Sequence, residues 1–453
     1  MYQNKKIHLI GIGGVSMSGI AEMLLSLGAT VTGSDVAESK ITKHLEALDI
    51  IIRYGHHPEL IEEADIIVYS AAIHEDDPER AKTFELNKPQ YERANFLGQL
   101  MLMYKNRLCI SGTHGKSTTT GMVSSIFLEA QKNPTIQIGA ILPAINSTSF
   151  IGSKNYLILE ACEYVDSFLS FSPTAEIITN IDNDHLDYFK DLDHIKKSFN
   201  KYTNLLPEDG YLVINKDDNN SSGIEKDTKA QVITYGIKNE ADFTAQNITT
   251  NDLGHYSFDV YHQKEIYLHI NLSINGEHNI YNALAAIALT SKYIEDKEKI
   301  KSGIEQYHGV ERRFEYLGNY QNIMIYDDYA HHPTEIKTTL ESTQKVKHNE
   351  SWAIFQPHTF SRTAEHLHDF AKVLKGFDHI IIAKIYPARE ENIYGVSEAQ
   401  LVDLIKETNP NAIYIDDFDK IVTHIKENAK AQDIVITIGA GPINQVAEKL
   451  ITK

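Results

Sequence analysis

Three observations predict an α/β fold built on parallel sheets. Short apolar runs of strand length alternate with segments of helical spacing, two strand-to-helix turns are rich in glycine, and ionisable residues gather just after the strand-like runs. The first run, Lys6 to Gly11, ends in glycines and leads into Ile20, Met23, Leu24 and Leu27, an i, i+3, i+4, i+7 stripe. That order is strand, tight turn, amphipathic helix. Runs at Ala29 to Ser34, followed by Asp35, and at Asp65 to Ser70 repeat the pattern, so residues 1–104 predict a Rossmann-like unit.

The pattern restarts at Arg107 with LCISGTHGKSTTT, whose helix carries Val123, Ile126, Phe127 and Ala130 on one face. Tyr156 to Glu160 and Glu176 to Ile181 are further strands that end in polar residues. Residues 105–311 therefore predict a central parallel sheet of the P-loop ATPase kind. Its stretch from Lys216 to Leu272 is polar and irregular, with alternation only in HYSFDVY and IYLHINL, and is expected to form a small antiparallel addition. In residues 312–453 the runs Ile323 to Tyr326, Trp352 to Phe355, His379 to Lys384, Ala412 to Ile415 and Asp433 to Ile438 are separated by helical patterns. They predict a second doubly wound, Rossmann-like unit.

Composition narrows the function. A length of 453 residues fits about three domains, and two would also fit. With 43 Lys plus Arg against 62 Asp plus Glu, the net charge is −19, which argues against a nucleic-acid partner. Apolar runs such as DIIVYSAAI fall short of the ~18 residues a membrane span needs, and MYQNKKIHLIGIGG has no signal-cleavage pattern. No membrane partner is expected. Cys109 and Cys162 are the only cysteines, so no disulfide framework is available and a reducing cytoplasm is the expected location.

Four clusters carry chemistry. Gly112-Thr113-His114-Gly115-Lys116-Ser117, followed by Thr118, sits between a strand and a helix. Such a loop points backbone N–H groups at an anion, leaving Lys116 for β/γ-phosphates and Ser117 for Mg²⁺, although Ile110 stands where the full phosphate-loop spacing has its first glycine. Gly11-Ile12-Gly13-Gly14-Val15-Ser16, with Asp35 after the next strand, suits a pyrophosphate from NAD or from a sugar nucleotide; Ser16 breaks the dinucleotide pattern. Glu160, Asn180, Asp182, Asp184 and His185 follow two strands and, with Ser117, make a Mg²⁺ shell if both strands flank the phosphate loop. Taken singly, each is an ordinary strand-end cap. The fourth cluster is YDDYAHHPTE, from Tyr326, and QPHTFSRT, from Gln356, at successive strand ends; its histidine pair does not have a zinc-protease spacing.

Taken together, GIGGVSMSGIA, GTHGKSTTT, EACE, TNIDNDH, NGEHNIYNA, GVERRFE, YDDYAHHPTE and PHTFSRT stand in the order seen in the Mur ligases, and the chain resembles that family from Gly11 to Thr363, with GAGPIN near Gly439 also compatible. The resemblance is strongest to the branch that joins L-alanine to UDP-N-acetylmuramate. It implies three domains: for the UDP-sugar, for ATP and for the amino acid. By this resemblance Gly11, Gly13, Gly14, Ser34, Asp35, Ser70 and Ala71 line the uridine diphosphate. Gly112 to Thr118, His278, Asn279 and Asn282 serve ATP, with Arg313 and Asp328 also on the nucleotide side. Ser117, Glu160 and His185 hold Mg²⁺. Asp328, His332 and Arg362 grip the amino acid, Arg362 by its carboxylate, and Lys116, His185, His332 and Arg362 form the catalytic set.

The implied reaction is ATP-dependent amide formation through an acyl phosphate, with closure of the domains excluding water. Some relatives carry a carbamylated lysine, and an ungapped reading lands near Phe199 instead of on a lysine; Lys196, Lys197 and Lys201 lie close by, none in clear register, and no modification is expected. Three alternatives stand beside this reading. One is the recycling ligase of the same family, which attaches a tripeptide to the same UDP-sugar. Another is a nicotinamide-dependent oxidoreductase, which explains the first glycine turn and leaves GTHGKSTTT without a role. The third is a binding module that senses nucleotide without turnover, which keeps both loops and forms no amide product.

Overall fold

In the computed structural model, which describes residues 2–186, 188–251, 254–388 and 390–452, three sheets organise the chain. The first contains β1 (Lys6–Ile10), β2 (Thr30–Asp35), β3 (Ile51–Tyr54), β4 (Ile66–Tyr69) and β5 (Gln90–Glu92) in the order β3-β2-β1-β4-β5. All its pairings are parallel. The order reverses at β1, the point where open α/β sheets present a crevice at the carboxyl ends of their strands. The glycine turn lies there.

The second sheet is built from β6 (Asn106–Ser111), β7 (Thr135–Leu142), β8 (Ser147–Phe150), β9 (Tyr156–Glu160), β10 (Ala175–Ile178), β11 (Tyr211–Asn215), β12 (Gln231–Gly236), β13 (Phe243–Thr250), β14 (His255–His262) and β15 (Glu265–Asn275). Its order is β15-β14-β13-β12-β11-β10-β6-β9-β7-β8, which puts β6 between β10 and β9. The strands ending in Glu160 and leading to Asn180 therefore do flank the phosphate loop. The stretch expected to be a small antiparallel addition begins otherwise: β12 runs parallel to β11 and β13 parallel to β12. QVITYG is a β-branched run that continues the parallel sheet, and its polar neighbours hid it. Hairpin character starts at β13 and β14, where Asn247 meets Asp259 and Thr249 meets Ser257 in antiparallel register, and continues through β14 and β15, joined by Gln263 and Lys264 with φ of 54° and 68°, the paired left-handed residues of a tight hairpin turn.

The third sheet comprises β16 (Glu315–Tyr320), β17 (Ile323–Asp328), β18 (Ser351–Phe355), β19 (His379–Ile382), β20 (Ala412–Tyr414) and β21 (Ile434–Ile438), ordered β16-β17-β21-β18-β19-β20. Its edge pair β16 and β17 is antiparallel, and the other pairings are parallel. The two polar clusters after β17 and β18, successive in the chain, are thus separated in space by β21.

The chain divides into two compact units. One contains the residues up to Asn247, Phe258–Ile270 and Tyr281–Tyr307; the other contains Ile248–Ser257, Asn271–Ile280 and the residues from His308 onward. Inside the first unit a single apolar cluster joins Leu9, Met17 and Leu24 of the first sheet and its helix to Phe96, Leu97 and Leu100, and then to Leu159, Phe168, Phe199 and Tyr202 of the second. The sequence changes sheets near Tyr104, but the core runs on through that point. Phe199 is fully buried against Phe168, with ring centroids 5.2 Å apart. No helix among the described residues is long and apolar enough to cross a membrane.

Candidate functional site

The phosphate loop is shaped by its neighbours on β10. Gly112 has φ +131°, and a Cβ there would lie 2.0 Å from the Thr179 hydroxyl; Gly115 has φ +84°, with Asn282 Oδ1 2.7 Å from a Cβ. A side chain is excluded at both on two counts, strain and space. The Asn180 amide then grips the loop from both sides, accepting from the His114 N–H at 2.9 Å and donating to the His114 carbonyl at 2.9 Å. Thr179 donates to the same carbonyl, and the Asp182 N–H donates to the Thr113 hydroxyl at 2.9 Å. The TNID segment is thus the mould of the loop. Helix Lys116–Glu129 opens from Gly115, directing its N-terminal dipole at this loop, and Thr118 is half-buried on its first turn.

Lys116 folds back over the loop. Its Nζ donates to the carbonyls of Gly112 at 2.5 Å and Thr113 at 3.0 Å, and to both carboxylate oxygens of Glu163 at 3.2 and 3.1 Å. Burial by itself would lower the ammonium's pKa, but the Glu163 charge, reinforced by Cys162 and Glu160, outweighs it and holds Lys116 protonated. Glu163, 2% exposed, is a member of the site that the sequence pattern did not single out. Its signal was present as the second acid of EACE, three residues beyond Glu160.

Glu160 Oε1 accepts from the Ser117 hydroxyl at 3.0 Å, and Oε2 from the Gly139 N–H at 2.7 Å. Carboxylate and hydroxyl oxygens at a helix N-terminus are hard donors of the kind Mg²⁺ selects. Among the described residues, no three His, Cys, Asp or Glu side chains form a metal-holding group. His185 stands on the Glu163 side, its Nε2 4.0 Å from Glu163 and 3.8 Å from Asp184, with its ring against Tyr164. Asn282 accepts from Thr119 at 3.2 Å behind the loop. At the head of helix His278–Thr290, Asn279 donates to the Asn275 carbonyl at 2.6 Å, and the exposed His278 packs over Gly276.

On the first sheet, Gly11 makes the turn with φ +78° and the Gly13 N–H donates to Asp35 Oδ2 at 2.8 Å. Helix Val15–Ser26 starts at Gly14 with no side-chain cap, which leaves its N-terminal dipole facing the crevice. Ser70 lies beside Gly11 and Ala71 is exposed. Ser34 departs from its expected place in the crevice. It is buried and donates to Glu79 at 2.6 Å, and Glu79 also meets the His8 ring at 3.3 Å and accepts from the His57 N–H at 2.6 Å. Burial works against the Glu79 charge, yet these partners hold its pKa below the usual value.

In the third sheet, Asp328 ends β17 and accepts from the Ala330 N–H at 3.0 Å and the Thr339 hydroxyl at 2.8 Å. Burial raises it to about 6, against the pull of Arg313. His332 caps helix Pro333–Lys345 by accepting the Thr334 N–H on Nδ1, which leaves Nε2 as its protonated nitrogen when neutral. Arg362 lies on helix Phe360–Glu365, close enough to His331 and His358 for its charge, after burial, to help lower both imidazoles, His358 to about 4. Arg313 sits 3.7 Å from Glu335 and near the Tyr329 ring. Its neighbour Arg312 serves the fold, donating to Asp327 at 2.9 Å and to the carbonyls of Gly439 and Gly441 at 2.6 and 3.0 Å. That tie fixes the GAGPIN turn after β21.

Residues 6–105 match the Mur ligase family catalytic domain, 110–290 the Mur ligase middle domain and 312–441 the Mur ligase glutamate ligase domain. A UDP-N-acetylmuramate--L-alanine ligase from Acetivibrio thermocellus is 46% identical over 99% of this chain and 96% of its own length. Among solved structures, UDP-N-acetylmuramate-alanine ligase from Thermotoga maritima superposes with a TM-score of 0.85 at 27% identity, covering 99% of this chain and 98% of that one. A murein peptide ligase from Psychrobacter arcticus shares the fold at a TM-score of 0.73 and 24% identity, covering 99% of this chain and 98% of that one. With its phosphate loop, Glu160 and three successive family domains in place, the chain belongs to the Mur ligase family.

Proposed function

We infer that the protein is an ATP-dependent ligase that joins L-alanine to the lactyl carboxylate of UDP-N-acetylmuramate in peptidoglycan precursor synthesis, releasing ADP and phosphate. The observation that carries the substrate assignment is the 46% identity over essentially the whole length of a ligase bearing that name. The chemistry is supported by Lys116, Ser117 and Glu160 meeting at one helix N-terminus. The substrates, a UDP-sugar and ATP, make the cytoplasm its place of work.

The lactyl carboxylate attacks the γ-phosphorus of ATP to give an acyl phosphate and ADP. The neutral amine of L-alanine then adds to the acyl carbon and phosphate leaves. Phosphoryl transfer depends on positioning and charge neutralisation more than on covalent help from the protein. Lys116 is the permanent cation that provides this neutralisation. With nucleotide bound, its Nζ exchanges the loop carbonyls for phosphate oxygens while Glu163 steers it. Glu160, Ser117 and His185 are the residues that would hold Mg²⁺, which supplies further neutralisation of the phosphates when bound. Gly11, Gly13, Gly14 and the uncapped helix behind them present N–H groups to the diphosphate of the sugar nucleotide. Arg362 holds the carboxylate of L-alanine, and Asp328 and His332 face its ammonium end.

The test is phosphate release with ATP, Mg²⁺ and UDP-N-acetylmuramate, comparing L-alanine, other amino acids and the tripeptide L-Ala-γ-D-Glu-meso-diaminopimelate. Release that requires both the UDP-sugar and L-alanine, with the product mass of the amide, is the expected result. Dependence on the tripeptide instead would transfer the protein to the recycling reaction, and NAD reduction without phosphate release would move it to redox chemistry.

A further inference from the structure

Helix Phe360–Glu365, which carries Arg362, starts from a backbone bend that its own sequence does not favour. A helix N-cap ordinarily combines negative φ with an extended ψ. Thr359, the N-cap here, keeps the extended ψ of 150° but has φ of 63°. That region is nearly closed to residues with a Cβ, and a β-branched residue in it is an outlier. Reversing the sign of φ at the cap turns the helix away from the direction that an ordinary cap would give it. The bearing of Arg362 is therefore set at this one torsion.

A strained bend persists only where its neighbours over-determine it, and the loop after β19 does so. β18 and β19 end at Phe355 and Ile382, but the two chains meet again beyond the sheet in a parallel bridge between His358 and Tyr386. The Tyr386 N–H donates to the Pro357 carbonyl at 2.9 Å, and the Thr359 N–H donates to the Tyr386 carbonyl at 2.8 Å. These bonds fix the chain up to the bend. Past it, the Glu390 carboxylate accepts from the Ser361 N–H at 2.8 Å and from the Ser361 hydroxyl at 2.5 Å. The helix's own cap is longer, the Arg362 N–H reaching the Thr359 hydroxyl at 3.4 Å. Hydrogen bonds to an ionised acceptor are roughly twice as strong as neutral ones, so the first turn is held chiefly from another loop.

Arg362 follows Ser361 directly, and what holds one holds the other. Its charge acts on His331, which follows β17, and on His358, which follows β18, and these two rings stand 5.9 Å apart. The three groups meet only while the helix keeps its bearing.

We propose that Glu390 is the positioning residue for Arg362: through Ser361 it holds the helix against the strain at Thr359, so that the guanidinium stands beside His331 and His358 where the amino-acid carboxylate is received. The receipt of the carboxylate rests on the ligase reading above; the holding of Arg362 does not.

The experiment compares wild type with Glu390→Ala, Glu390→Gln, Thr359→Gly and the double variant Thr359→Gly/Glu390→Ala. Losing a charged hydrogen-bond partner predicts that Glu390→Ala raises the KM for L-alanine about tenfold, with the KM values for ATP and UDP-N-acetylmuramate near those of wild type. Glu390→Gln, whose amide accepts from the N–H and donates to the hydroxyl, should recover most of that loss. Glycine adopts positive φ without strain, so the double variant should have a lower KM for L-alanine than Glu390→Ala alone. Purely additive effects would overturn the proposal, as would an unchanged KM in Glu390→Ala. If Glu390→Ala does not fold, Ser361→Ala takes its place: a raised KM for L-alanine supports the assignment and an unchanged one overturns it. NMR titration of the His358 ring is the second readout. Burial, His331 and Arg362 lower this imidazole and Glu390 raises it. Loss of the Glu390 charge alone would therefore lower its pKa further, whereas departure of Arg362 raises it. A rise in Glu390→Ala is expected, and a fall would overturn the proposal. If wild type does not turn over L-alanine and the rise is nonetheless seen, the ligase reading fails and the positioning of Arg362 stands.

Discussion

Lys116 and Glu163 show how one residue serves two needs. The pair is buried and bidentate, so removing the cation leaves an uncompensated carboxylate, at a cost of about 3–5 kcal/mol. Lys116→Ala should therefore abolish phosphate release and also lower the melting temperature. Adding Glu163→Ala should restore much of the melting temperature and none of the activity; a double variant as unstable as the single one would show that the pair has no such coupling. At Asp328 the relevant quantity is pH. Its carboxyl is raised to about 6 by burial, so it is charged above that pH and neutral below it. The KM for L-alanine should rise as pH falls through about 6, and Asp328→Asn should show a high KM with no such limb. Steady-state kinetics from pH 5 to 8 tests this, and a limb unchanged in the variant would assign it to another group.

At the scale of elements, β10 holds the phosphate loop from one side and carries a carboxyl in its interior. Glu176 is fully buried next to Cys109 of β6, both of its oxygens lack hydrogen-bond partners among the described residues, and burial raises its pKa well above the ordinary value. A raised folded-state pKa means that its contribution is most favourable below the unfolded value of about 4.3 and is progressively lost as pH rises above it. Glu176→Gln should thus be more stable than wild type at pH 8, by a margin that shrinks toward pH 5. Thermal denaturation at the two values measures it, and a margin independent of pH would refute the buried-acid explanation. Strands of this kind were readable in the sequence because β6, β9 and β17 carry apolar runs that end at polar residues, and β1 and β21 carry apolar stretches that end at glycine turns. β5, with three half-buried residues, and β3, with one buried residue of four, carry no such signature and needed their neighbours to be seen.

At the scale of the molecule, the first two sheets share one core. Phe168 stacks on Tyr202 at 4.2 Å and belongs to the same cluster as Leu9, Leu24 and Phe96. Phe168→Ala should cost about 3–5 kcal/mol. Because the cluster is continuous, amides of β1 and of β6 should lose hydrogen-exchange protection together, and loss confined to β6 would mean that the two sheets unfold independently.

Much of the candidate site was legible in the chain because its groups are local. GTHGKS places glycine, lysine and serine on one turn, and GIGG does the same for the first sheet; local spacing suffices where a single strand-to-helix connection makes the site. The fold class followed for the same reason, since the alternation of strand and helix is a property of neighbours in sequence. Pairing across distance was decided by the tertiary structure. Strand order brings Glu160 and Asn180 to either side of the phosphate loop, and packing of helix and loop turns Ser34 inward to Glu79 and gives Lys116 its partner in Glu163. Each of these depends on which buried polar group finds which partner after the backbone has packed, and that choice is made by burial, which no single stretch of sequence contains.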